Sequence, residues 1–140
     1  MLKTRTGDIL VASHHETGDL KVLLTDLGYK TSIMPSGEQT LGYLRTHTPA
    51  LMILDAHLTD LSGISIAYRC KKLSRLKAVP SIVLVNTHDQ KMRAQAERCA
   101  ADKVLFRPYS ARNLKTMVQT LLYAQMDTSQ DALPTDPLGL

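Results

Sequence analysis

The sequence predicts an α/β fold: a doubly wound, five-stranded parallel sheet with five helices. Three observations lead there. Five short apolar runs alternate with five stretches of helical spacing, the order that builds parallel sheets covered on both faces. The run Leu51-Met52-Ile53-Leu54 is continuously apolar, as a strand buried on both faces requires. The chain has 140 residues, 44% of them hydrophobic, enough for one packed domain and too apolar for a disordered chain.

Each element has its own signal. Asp8-Ile9-Leu10-Val11-Ala12 predicts a buried first strand. Leu20, Leu23, Leu24 and Leu27 then recur at helical spacing, and Gly28 stands where a helix C′ glycine belongs. Tyr29 to Met34 predicts a weaker second strand. Ser36 with Gln39 three residues on forms a capping-box pattern for the second helix, whose apolar positions are Leu41 and Leu44. Pro49 precedes the third strand, which ends at Asp55, and a helix follows from Gly63 to Leu73. Pro80 introduces the fourth strand, Ser81 to Val85. Thr87 or Asp89 caps the next helix, which runs to about Cys99. Lys103 to Phe106 is the fifth strand. Ser110 caps a last helix with the stripe Leu114, Met117, Val118, Leu121 and Leu122. The domain is expected over residues 8–126, between an N-terminal extension (1–7) and a polar, flexible tail (127–140).

Composition narrows the function. No apolar run approaches the roughly 18–20 residues of a membrane span. Met1 to Gly7 is short and polar, so no secretory signal is expected. Cys70 and Cys99 lie in no metal-ligand spacing and read as free thiols packing helices in a reducing cytoplasm. The net charge is +4, and Lys71-Lys72, near Arg69 and Arg75, is the only adjacent basic pair. Without a basic stripe, a solvated helix face is expected there rather than direct binding of nucleic acid. No nucleophile–base pair indicates an enzyme.

In such sheets the functional crevice lies beyond the carboxyl ends of the strands. The residues arriving there are Ser13-His14-His15-Glu16, Asp55-Ala56-His57, Asn86-Thr87-His88 and Arg107-Pro108. Asp55 either caps a turn or forms the centre of a site. Four histidines, His14, His15, His57 and His88, stand beside Asp55 and Glu16. Together they suit Zn²⁺ or another transition metal, or a pH-sensitive site; the plainer reading is solvated loop residues.

Several landmarks occur together. Pro49 to Asp55 followed by Leu58-Thr59-Asp60-Leu61-Ser62-Gly63, Val79-Pro80, Phe106-Arg107-Pro108-Tyr109-Ser110, and Leu27-Gly28-Tyr29 stand in order. This pattern, spanning Asp8 to Tyr123, resembles the receiver domain of two-component response regulators. The resemblance implies a flavodoxin-like sheet in the order 2-1-3-4-5 and a cytoplasmic signalling protein. It implies Asp55 as phosphoacceptor from a histidine kinase, phosphotransfer protein or small phosphodonor, the only catalytic step expected being this self-phosphorylation. It also implies Mg²⁺, held by Asp55, the His57 backbone carbonyl and an acidic pair after strand one. A lysine after strand five, a switch Ser/Thr after strand four and an aromatic on strand five complete the pattern. An output protein or domain, or a second copy, would dock on the face of helix four, strand five and helix five. That face carries Lys91, Arg93, Arg98, Lys103, Arg112 and Lys115.

The sequence departs from this pattern where charge matters. Ser13-His14 replaces the acidic pair, leaving Glu16 and His14 as remaining metal candidates, and the segment to Gly28 looks about two residues short. Val85 stands at the switch position, Thr87 serving only with a shifted register, and Val104 stands where the aromatic often is. Arg107 replaces the lysine. It either pairs with Asp55 as a resident counter-ion or binds phosphate through its planar fork. These departures make an atypical or pseudo-receiver, and a phosphorylation-independent interaction module is the alternative to the phosphorelay reading.

Overall fold

The computed structural model describes residues 8–14, 17–98 and 100–131. The N-terminal extension, Cys99 and the end of the tail lie outside them. The strands are β1 (Asp8–Ala12), β2 (Lys30–Met34), β3 (Leu51–Asp55), β4 (Ser81–Asn86) and β5 (Lys103–Arg107). The helices are α1 (Thr17–Asp26), α2 (Gly37–Leu44), α3 (Gly63–Lys71), α4 (Gln90–Glu97) and α5 (Ala111–Asp131). All strands pair in parallel, in the order β2-β1-β3-β4-β5. The expected flavodoxin-like architecture is therefore present.

Side chains alternate across the sheet and divide the core in two. Leu10, Met52, Leu54, Val83 and Val85 pack toward Ile66 and Cys70 of α3 and Ala96 of α4. Ile9, Val11, Ile53, Leu84 and Leu105 pack toward Leu20 and Leu24 of α1 and Leu114 and Val118 of α5. This alternation decides which residues reach the site. Ser13 continues the series Ile9–Val11, Asp55 the series Leu51–Ile53, Asn86 the series Ile82–Leu84, and Arg107 follows Leu105. All four fall on the α1/α5 face at the carboxyl edge.

Element ends have local causes. Gly28, at φ 93°, closes α1: its N–H donates to Thr25 O, and that of Tyr29 to Leu24 O, the Schellman arrangement. Ser36 caps α2 by accepting from Gln39 N, while its hydroxyl donates to Gln39 Oε1. Asp89, rather than Thr87, caps α4. Two helices stop short of expectation. Instead of reaching Leu73, α3 gives way to tighter bonds from Lys72 N to Arg69 O and Leu73 N to Cys70 O. Similarly, Arg98 N turns to Gln95 O and ends α4 at Glu97. The last helix continues past Met126 to Asp131. Strands β4 and β5 each extend one residue beyond expectation, because Asn86 pairs with Arg107. No helix among the described residues is long and apolar enough to cross a membrane.

Candidate functional site

Asp55 is placed by backbone packing. It ends β3 with its side chain 0% exposed. Gly63 opens α3 directly against it: a Cβ there would sit 2.6 Å from the Asp55 carbonyl oxygen. Ser62 caps that helix by accepting from Ile64 N. In the intervening loop Asp60 accepts from the N–H groups of Gly37 and Glu38 at 2.8 and 2.9 Å. The β3–α3 loop is thereby tied to the start of α2, where a carboxylate also meets the positive end of the helix dipole.

Three strands deliver partners to the Asp55 carboxylate. Arg107, from the end of β5, donates from Nη2 to Oδ2 at 2.7 Å and from Nη1 to Oδ1 at 3.4 Å. Ser13, following β1 and itself buried, donates its hydroxyl to Oδ2 at 3.0 Å. His57, just past β3, donates its backbone N–H to Oδ1 at 2.8 Å. Asn86, at the end of β4, accepts from Arg107 Nη1 at 3.1 Å through its side-chain oxygen. Its own N–H donates to His57 Nε2 at 2.9 Å. The carboxylate is thus bound into a network spanning the ends of β1, β3, β4 and β5.

Burial pushes the Asp55 carboxyl up. The hydrogen bond from Arg107, the His57 amide, the Arg107 charge and the Ser13 hydroxyl together outweigh burial and hold it below its ordinary value. Arg107 is only 16% exposed, so the pair sits where solvent screens it weakly.

The other residues singled out from sequence lie around this network. Val85 is buried on the α3/α4 face, and Val104 and Phe106 pack on the same face. Period-two alternation therefore turns Val85 away from Asp55. The hydroxyl and N–H of Thr87 both donate to the Arg107 carbonyl, which leaves Thr87 holding the β5 end rather than the carboxylate. His14 and His88 are exposed. Glu16 and His15 lie outside the described residues. Of the histidine cluster, His14, His57 and His88 fall within the described residues, and among those residues no three His, Cys, Asp or Glu side chains could hold a metal. The His57 ring is committed to Asn86 instead.

Sequence reasoning gives Ser13 and Asn86 no role at the carboxylate. Both are visible as the next inward positions after an alternating strand, but Asn86 also needs the β4–β5 register to bring it beside Arg107. A cleft of about 530 Å³ opens next to Arg107, between α1, the β4–α4 loop and the start of α5. Arg107 is among the residues that line it.

A family profile for the response regulator receiver domain matches residues 13–119. A probable transcriptional regulator, ycf27, of Cyanidium caldarium is 28% identical over 121 residues, covering 86% of this chain and 47% of that protein. The chain spans about half the length of the curated relatives it matches. Among solved structures, the receiver domain of a signal transduction histidine kinase from Syntrophus aciditrophicus superposes with a TM-score of 0.80 at 24% identity. It covers 96% of this chain and 98% of that one. The receiver domain of a Pseudomonas aeruginosa sensor histidine kinase has a TM-score of 0.77 at 19% identity over 84% and 98% of the two chains; it carries a magnesium ion in its active-site cleft. With the profile matching most of its length, the chain belongs to the receiver domain family of two-component response regulators.

Proposed function

We propose that this receiver works as a phosphorylation-independent interaction module, its acceptor site neutralised from within by Arg107. One observation carries the reading: the Arg107 guanidinium lies 2.7 Å from the Asp55 carboxylate, which is wholly buried. Phosphoryl transfer needs a carboxylate oxygen free to attack phosphorus in line, with a divalent cation to spread the developing charge. Here Arg107 already supplies positive charge to both carboxylate oxygens.

The described donor set also fits Mg²⁺ poorly. That ion takes hard oxygen ligands in octahedral geometry. Ser13 and His14 stand where the family offers two carboxylates, and the Ser13 hydroxyl donates to Asp55 rather than facing a cation. A guanidinium at the carboxylate adds repulsion to any second cation. Zn²⁺ lacks a gathered ligand set among the described residues.

In this reading the protein transmits through its surface. The α4–β5–α5 face is the expected contact for an output protein or domain, with Lys91, Arg98, Lys103, Arg112 and Lys115 exposed. Arg93 lies over the Phe106 ring at 5.0 Å, fixing one cation of that face to the sheet.

Incubation with acetyl phosphate and Mg²⁺, followed by intact-mass measurement, tests this directly. The wild-type chain is expected to gain no phosphoryl adduct. A Ser13→Asp, Arg107→Lys variant, which returns a carboxylate and a point ammonium, serves as the comparison. An adduct on the wild-type chain that disappears in Asp55→Asn would establish the phosphoacceptor reading instead.

A further inference from the structure

The basic cluster near Lys71-Lys72 has a structural setting that its sequence does not show. Residues 61–88 contain Arg69, Lys71, Lys72, Arg75 and Lys77 and no Asp or Glu. The fold brings part of this cluster beside α2. The carboxyl ends of α2 and α3 and the turn after α3 enclose an open groove of about 510 Å³. Its floor is apolar, with Leu41, Leu44 and Leu76 beneath and Leu73 at the edge. Leu44 and Leu76 are buried, but Leu73 is 51% exposed. Arg45, Arg69, Lys72 and Arg75 form the rim.

None of these four cations is neutralised by a carboxylate among the described residues. Arg75 donates to the carbonyls of Leu44 and His47 and to the Thr48 hydroxyl, all uncharged acceptors. Those bonds brace the end of α2 and keep the groove wall in place. Lys72 sits over the Tyr68 ring at 4.5 Å, and Tyr68 is itself 54% exposed. Lys71 turns the other way, to Asp102 at 3.6 Å. The surface therefore combines positive charge without a carboxylate partner and a leucine-lined trough.

We propose that the α2–α3 groove docks an acidic amphipathic helix of a partner protein. Its leucines would lie on the groove floor, and its carboxylates would meet Arg45, Arg69 and Lys72. Helix-in-groove recognition uses both features at once, apolar anchors at helical spacing and complementary rim charge. A nucleic-acid backbone uses the charge but not the leucine floor. A membrane surface is met by projecting apolar residues rather than by a trough. Among the described residues the exposed large apolar side chains are Val22, Tyr68, Leu73 and Tyr123. Of these Val22, between Asp19 and Asp26 on α1, is the one flanked by acids on its own helix, and a second copy docking through it would stack head to tail. The proposal does not depend on the state of Asp55, which lies at the opposite end of the strands.

The test uses the full chain and a fluorescein-labelled designed helix, with Leu at i, i+3, i+4 and i+7 and Glu elsewhere. Binding is followed by anisotropy and mapped by amide chemical shifts. Shifts should concentrate in α2, α3 and the turn to Leu76. Arg69→Glu with Lys72→Glu should weaken binding about tenfold or more, and Arg45→Glu on the opposite wall should weaken it independently. These side chains are exposed but lie at the carboxyl ends of α2 and α3, so each reversal should lower the thermal midpoint slightly. The dispersion of amide shifts outside the groove should stay unchanged, which separates lost binding from lost folding. A control peptide with Ser in place of Leu should lose binding. The proposal is overturned if the serine peptide binds equally well, if the charge reversals leave Kd unchanged, or if the shifts map to α4–β5–α5. It is also overturned if a DNA duplex or a phosphatidylserine vesicle binds these residues more tightly than the leucine peptide, or if the groove is covered by concentration-dependent self-association.

Discussion

The two sides of the Asp55 crevice are maintained by different forces. On the β3–α3 side the backbone does the positioning: Gly63 packs against the Asp55 carbonyl, and Asp60 binds the first N–H groups of α2. That side keeps the family pattern. On the β1, β4 and β5 side, the side chains of Ser13 and Arg107 meet the carboxylate, and that of Asn86 meets Arg107. That side departs from the pattern. Close backbone packing admits few residues at a position, and losing it disturbs the fold. A rim side chain can change identity while the sheet stays as it is. In the proposed reading, this is how a receiver scaffold outlasts the chemistry that usually accompanies it.

Substitutions on each side sharpen this contrast. The largest effect is expected from Arg107→Met. Removing one member of a buried pair strands the other, so stability to urea should fall by about 3–5 kcal/mol at neutral pH. A loss of only a few tenths would mean that the pair is effectively solvent-screened. Gly63→Ala comes next. Its new methyl must displace backbone rather than a flexible side chain, which should cost about 1–3 kcal/mol; the same unfolding curves would show it. Gly42 provides the counterexample: it lies inside α2, and a methyl added there would meet nothing within 4 Å. Gly42→Ala should raise stability by about 0.5–1 kcal/mol through helix propensity. If Gly63→Ala were as benign as Gly42→Ala, the backbone half of the comparison would fail.

The same contrast explains how much can be read from sequence. Strands β1, β3 and β4 are legible because uninterrupted apolar runs admit little else, and Ser36, Gly28 and Ser110 mark helix ends through local bonds. Arg107 is legible as a residue in the crevice, but its choice between counter-ion and phosphate ligand depends on distance. Asn86 and Ser13 are obscured because their partners are long-range: Asn86 needs the pairing with Arg107, and Ser13 needs β1 beside β3. Val85 draws attention through its place in the family pattern, whereas strand alternation turns it to the opposite core. His14, His57 and His88 share an edge in the topology without gathering into a ligand set.

The Asp55–Arg107 pair also fixes how stability responds to acid. Asp55 has a folded value below its unfolded one of about 3.9. The pair therefore contributes stability above the unfolded value, which is lost as pH falls through the folded value. In Arg107→Met the Arg107 hydrogen bond and charge are gone while burial remains, so the folded value rises and the variant's deficit shrinks on acidification. A carbon-detected NMR titration of the Asp55 side-chain carboxyl, in wild type and Arg107→Met, reads this at the atom concerned. Internal neutralisation predicts a wild-type midpoint below the ordinary aspartate value, moving up once Arg107 is gone. Ordinary, unchanged midpoints in both proteins would contradict it.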